Sequence, residues 1–182
     1  QPVEVIVGID PGERMPGDTV PAGTHFEVRR VNAPVKGHQA ASNAACHEAR
    51  SEWLAFLEDD DQHLPDHLET LYRVVTEYGV DFVTTSHVLI RDGHEIGTFD
   101  FATVSGWLIR KSVWGGLCGF DVRFRTHHDN LALAMLHSAG VKRVHVVEED
   151  ANLDRIGAPW TNASWLRNIQ NFATVVRLGG LR

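Results

Sequence analysis

Trp53-Leu54-Ala55-Phe56-Leu57-Glu58-Asp59-Asp60-Asp61 is the stretch on which the reading of this chain turns. A short apolar run of this length suits a buried β-strand. The carboxylates begin where that strand ends, and open α/β sheets place their ligands outside the carboxyl ends of their strands. Four neighbouring negative charges repel one another. A solvated loop tolerates that repulsion. A hard divalent cation such as Mg²⁺ or Mn²⁺, which takes oxygen ligands, would relieve it. Such an ion also offsets the charge of a diphosphate leaving group. At this level both readings stand open.

Outward from this stretch, strand and helix signals alternate. Val3 to Ile9 is an apolar run ending at Asp10-Pro11-Gly12, a strand entering a turn. Residues 11–24, with their Pro and Gly, read as a loop, and Phe26 to Val31 alternates as a second strand. Gln39 to Arg50 is Ala-rich and predicted helical, and Trp53 to Leu57 is the third strand. Pro65 suits a first helical turn, Leu68, Leu71, Val74, Val75 and Tyr78 recur at helical spacing, and Gly79 is placed to end the helix. Val80 to Ile90 is β-rich, and Asp92-Gly93 predicts a hairpin into His94–Phe101. A strand over Val104–Ile109, a helix over Leu131–Ala139 closed by Gly140, and a strand over Val141–Val147 follow. Asn162 is placed to cap a last helix carrying Leu166, Ile169, Phe172 and Val176 on one face. The pattern predicts an α/β domain with a mixed, mainly parallel sheet. No repeat or linker divides residues 1–182, so a single domain is expected.

Composition narrows the function. The chain has 182 residues, 43% of them hydrophobic and 23% charged, with a formal net charge of −7. An acidic balance argues against a general nucleic-acid surface, which needs clustered Lys and Arg. It leaves room for one phosphorylated small molecule. There is no apolar run of about 20 residues and no leader pattern, so a cytoplasmic location is expected. Cys46 and Cys118 match no metal-ligand spacing and are expected as buried thiols in a reducing compartment. His63 and His67, four apart, suit a helix face that could hold zinc, but eleven histidines make a chance pair the better reading. Trp160 and Trp165 read as packing residues rather than a sugar platform, and Asn162-Ala163-Ser164 as a chance glycosylation sequon.

Gly37-His38-Gln39-Ala40-Ala41-Ser42-Asn43, Ala49 to Trp53, and then Leu54 to Asp61 with Leu64-Pro65 together resemble the family 2 glycosyltransferases. In that family a Gly-rich lead-in and an Ala-Arg-Asn helix precede an apolar strand ending in the DxD motif. Ser42 stands where the family has Arg. The resemblance implies the Rossmann-like, three-layer GT-A fold and a nucleoside diphosphate sugar donor. It also implies Mg²⁺ or Mn²⁺ held by Asp60 and Asp61, with Glu58 and Asp59 nearer the nucleoside ribose. Val3 to Asp10 resembles the family's second strand, whose end contacts the nucleotide base through an Asp pair. Ile9 replaces the first of that pair, and Asp10 keeps the second. The family's first strand and helix have no counterpart, so either a sequence shortened at its N-terminus or a differently built site is expected. His128-Asp129, opening the helix that ends at Gly140, is similar to the family's Glu-Asp motif. This implies Asp129 as general base, with His128 where Glu is usual.

The expected activity is therefore metal-dependent, inverting transfer of a sugar such as a hexose to an acceptor hydroxyl. The acceptor class stays open among sugars, lipid-linked acceptors and small molecules, and a homo-oligomer is compatible with the sequence. Two rivals are a non-catalytic GT-A-like binding module and a metal-dependent hydrolase.

Overall fold

The computed structural model describes residues 3–13, 26–92 and 94–147. The readings made on Asn162, Trp160, Trp165 and the final helix lie outside the described residues. The chain forms two compact units, Gln1–Leu54 with Ile109–Gly140, and Ala55–Leu108 with Val141–Arg182.

In the first unit, β1 (Glu4–Ile9) pairs in parallel with β2 (Glu27–Asn32), from Glu4↔Glu27 to Ile9↔Asn32. Helix α1 (His38–Glu48) packs on both strands. Its alanines allow that approach. A Cβ on Gly8 would lie 2.2 Å from the Ala41 carbonyl oxygen, so strand and helix backbones are in direct contact there. Gly37 opens α1 at φ 136°, a conformation that favours glycine. Glu4 ties the unit's edge together. Its carboxylate accepts from Arg29 at 2.9 Å and from the N–H groups of Arg50 and Ser51. Burial opposes its charge, but these donors outweigh burial and lower its pKa to about 2.

A short helix, α2 (Lys111–Gly116), has no counterpart in the sequence reading; it buries Trp114 against Phe120, ring centroids 4.6 Å apart. Asn43 of α1 then clamps the Phe120 peptide from both sides. Its Nδ2 donates to the Phe120 carbonyl at 2.7 Å, and its Oδ1 accepts the Phe120 N–H at 2.8 Å. Gly119 (φ 80°) is required beside it, because a Cβ there would meet Asn43 Oδ1 at 2.4 Å. Helix α3 (His128–Ser138) begins three residues before the expected Leu131, with His127 in a left-handed conformation (φ 61°) at its N-cap. Gly140 (φ 73°) follows its end, as expected.

In the second unit, α4 (His67–Tyr78) buries Leu71, Val74 and Val75 and ends at left-handed Gly79. Leu68 and Tyr78, expected on the same apolar face, are exposed. The β-rich stretch breaks at Ser86 into β4 (Phe82–Thr85) and β5 (His87–Arg91). Strand β5 forms the expected antiparallel hairpin with β6 (His94–Phe99). A single 3₁₀ turn, Val104–Gly106, takes the first half of the strand expected over Val104–Ile109, and β7 (Trp107–Arg110) takes the second. Strand β8 (Arg143–Val146) pairs in parallel with β4.

The chain passes from the first unit to the second within β3 (Trp53–Ala55) and back within β7. These strands belong to a four-stranded sheet of order β3-β7-β4-β8. Trp107, fully buried, meets Phe56 and Phe82 edge-on at 6.2 and 5.2 Å. Parallel and antiparallel pairings with intervening helices make this a mixed α/β protein, as expected.

Two further sequence expectations are corrected. The third strand ends at Ala55, not Leu57, where the Phe56 carbonyl accepts from the His63 ring in place of a neighbouring strand. Of the two thiols, Cys46 is half-buried, and burial pushes its pKa up to about 12, but Cys118 is exposed. Cys118 sits in a turn with φ 59°.

Candidate functional site

Glu58, Asp59, Asp60 and Asp61 stand in the second unit, where the chain leaves β3 and turns, the Asp61 N–H bonding the Glu58 carbonyl at 3.2 Å. Two residues without an assigned role in the sequence reading hold this turn. The Ser105 hydroxyl accepts the Glu58 N–H at 3.0 Å, and the His63 Nε2–H donates to the carbonyls of Ser105 (2.8 Å) and Phe56 (3.1 Å). The backbone is thus pinned at both ends of the acidic run. Its Asp59, Asp60 and Asp61 side chains are exposed, with no hydrogen bond or ion pair among the described residues. Carboxylate oxygens are the kind of donor that a hard divalent cation such as Mg²⁺ or Mn²⁺ takes.

The histidines beside the turn are a different matter. His63 lies before α4 rather than on it, and its ring stacks on that of His67 at 4.1 Å. Because His63 spends its Nε2–H on two carbonyls, that nitrogen has no lone pair for zinc. Burial, then the neighbouring His63 and His87, lower the His67 pKa to about 4. Thr84, His145 and Asp100 form a hydroxyl–imidazole–carboxylate chain, with contacts of 2.7 and 2.6 Å. The Thr84 side chain is fully buried, so no substrate reaches its hydroxyl, and the chain joins β4 to β8 and to Asp100.

Asp10, His128 and Asp129 stand in the first unit. Asp10 Oδ1 accepts the Gly37 N–H at 2.9 Å, which ties the end of β1 to the start of α1. His128 and Asp129 occupy the first turn of α3, each 7% exposed. Burial raises the Asp129 pKa, against the nearby N–H groups of Asn130 and Asp129 and the imidazoles of His127 and His38, which lower it. His127 takes the N-cap position of α3. His128 Nε2 lies 2.8 Å from His38 Nε2, and its Nδ1 lies 3.3 Å from the Gln39 amide nitrogen. Burial first, then His38 and His127, lower the His128 pKa to about 4, so it is neutral at pH 7. The Phe120 ring, held by Asn43, meets His128 edge-on at 4.8 Å. His38 and Gln39 were legible only as parts of the lead-in to α1; no sequence signal joins them to a residue ninety positions away.

Residues 19–102 match the family model described as glycosyl transferase family 2. The match takes in α1 and the whole acidic turn; Asp10 precedes it, and His128 and Asp129 follow it. Among solved structures, the chain is similar to S. aureus TarS, residues 1–349, in a crystal structure with UDP. The TM-score is 0.48 at 14% identity, with 58% of this chain and 37% of that chain covered, so this chain spans just over a third of the TarS chain. No curated protein matches. Among the described residues, no helix is long and apolar enough to cross a membrane.

Proposed function

Because residues 19–102 of this chain match the glycosyl transferase family 2 model, we propose that it transfers a sugar with inversion from a nucleoside diphosphate donor to an acceptor hydroxyl, on the GT-A architecture. The observation that carries the reading is the acidic turn inside the matched segment. Its backbone is fixed by Ser105 and His63, while the side chains of Asp59, Asp60 and Asp61 are exposed.

In this reading Asp60 and Asp61 hold Mg²⁺ or Mn²⁺, Glu58 and Asp59 face the ribose, and Asp10 contacts the base. When bound, the ion supplies electrostatic stabilisation of the departing diphosphate. Asp129 takes the proton of the acceptor hydroxyl as its oxygen bonds to the anomeric carbon and the bond to the diphosphate breaks. A raised pKa suits a carboxylate asked to accept a proton. His128, neutral, lies beside it without competing for that proton. A sugar, lipid-linked or small-molecule acceptor, a cytoplasmic setting and a homo-oligomer belong to the same proposal.

The test is Asp60→Ala. The residue is exposed, so the melting temperature should hold within a degree or so, while Mn²⁺-dependent binding of UDP, GDP or ADP in calorimetry is lost. Equal affinity in variant and parent would refute the metal assignment. The burial of Asp129, 7% exposed, favours a second reading, a GT-A-like module that binds without turnover. Assaying release of sugar from UDP-, GDP- and ADP-sugars with several metals separates the two, because the module releases none.

A further inference from the structure

The bonds around the acidic turn close on one residue. Ser105, 2% exposed, is the middle residue of the 3₁₀ turn Val104–Gly106. Its hydroxyl accepts the Glu58 N–H at 3.0 Å, and its carbonyl accepts from His63 Nε2 at 2.8 Å. The two flanks of the run are thus tied to the side chain and the main chain of the same buried residue. His63 Nε2 also faces the Phe56 carbonyl at 3.1 Å, so this nitrogen carries the hydrogen. The His63 ring stacks on that of His67, in α4, at 4.1 Å. Between the flanks, the Asp61 N–H bonds the Glu58 carbonyl at 3.2 Å. All of these residues lie in the second unit.

A run of exposed like charges lowers its energy by spreading apart, and fixing its backbone costs conformational entropy. The Ser105 and His63 bonds oppose both tendencies before any ligand arrives. A cation that meets a turn already fixed has less ordering to impose, and preorganisation of this kind appears as affinity.

We propose that Ser105 and His63 are positioning residues for the divalent cation, acting on the backbone of the acidic turn and not on the ion itself. The proposal rests on the metal assignment above.

Mn²⁺ alone is the probe, titrated into the whole chain and followed by the electron paramagnetic resonance of the free ion, with melting recorded for each variant. Ser105→Ala removes the acceptor for Glu58. His63→Phe keeps a ring beside His67 and removes both bonds to carbonyls. Each should weaken Mn²⁺ binding about tenfold to a hundredfold at a temperature where the variant is folded, the range seen when groups that support metal ligands are removed. Ser105→Thr keeps the hydroxyl and should bind as the parent does. A purely structural role would lower the melting temperature and leave the affinity of the folded protein unchanged. In the ion-free parent, the Glu58 amide should already exchange slowly with solvent, because its bond exists before the ion arrives.

Parent affinity in Ser105→Ala or in His63→Phe, while Asp60→Ala loses binding, overturns the proposal and leaves the metal assignment standing. So does a Glu58 amide that exchanges at the rate of an unfolded chain until the ion is added. A Ser105→Thr protein as weak as Ser105→Ala traces the loss to packing and overturns it too. Should a Ser105 variant fail to fold, His63→Phe and the amide exchange of the parent decide. Equal Mn²⁺ binding in the parent and Asp60→Ala, or none in either, defeats the metal assignment and this proposal with it.

Discussion

Replacing Asn43 by Ala tests how α1 and the Phe120 segment are joined. In the folded chain the Asn43 amide bonds both polar atoms of the Phe120 backbone, at 2.7 and 2.8 Å, beside a phenyl ring only 3% exposed. The alanine variant would leave a buried N–H and a buried C=O without partners. Each such group costs about 1–3 kcal/mol, so the pair predicts a loss of about 2–6 kcal/mol. Asn43 is half-buried, and water can reach part of the vacated space, which places the expectation in the lower half of that range. Asn43→Asp is the control. It keeps the acceptor for the Phe120 N–H but turns an oxygen toward the Phe120 carbonyl, so it should lose more than one neutral bond is worth. Urea unfolding followed by tryptophan fluorescence measures both. The same variants should also move the His128 ring resonances, since Phe120 packs against that ring at 4.8 Å. An Asn43→Ala protein within about 0.5 kcal/mol of the parent would refute the clamp, because surface substitutions without structural consequence fall in that range.

Stability should fall on acidification from about pH 6.5 toward pH 4, measured by urea unfolding at several pH values. His128 and His67 have pKa values near 4 when folded, below the ordinary 6.5, so the unfolded chain binds protons first. For His128 the full loss is on the order of 3 kcal/mol; His128→Gln should flatten the slope, and an unchanged slope would reject the assignment. Glu4 adds a further loss as pH falls from 4.5 toward 2, while buried Asp129, with its raised pKa, works in the opposite direction. Gly8→Ala should destabilise by about 1–3 kcal/mol or more, because its methyl would collide with the Ala41 carbonyl at 2.2 Å; calorimetric melting near the parent value would show that α1 can move away. Asp129→Asn should lower kcat by about a hundredfold with donor affinity little changed, and equal kcat in a transfer assay would remove Asp129 as the base.

Local chemistry made much of this chain readable without coordinates. Strand β1, helix α4 with its Gly79 terminus, and the hairpin of β5 and β6 follow from hydrophobic period and from the backbone freedom of particular residues, properties a short segment carries by itself. The acidic run after an apolar strand was legible for the same reason, and so was the family whose model residues 19–102 match. Tertiary structure decided what depends on partners distant in the chain. The apolar stretch Val104–Ile109 became a 3₁₀ turn and then a strand, which lets Ser105 face Glu58 and Gly106 sit where a side chain would strike Thr85. Asn43 looked like a helix residue until Phe120, 77 positions on, supplied the peptide it clamps. His38, Gln39 and His128 came together only when the fold set an amide, two imidazoles and the Phe124 carbonyl in a row. A hydrogen bond needs its donor and its acceptor within reach of each other, and no local stretch of sequence contains both ends.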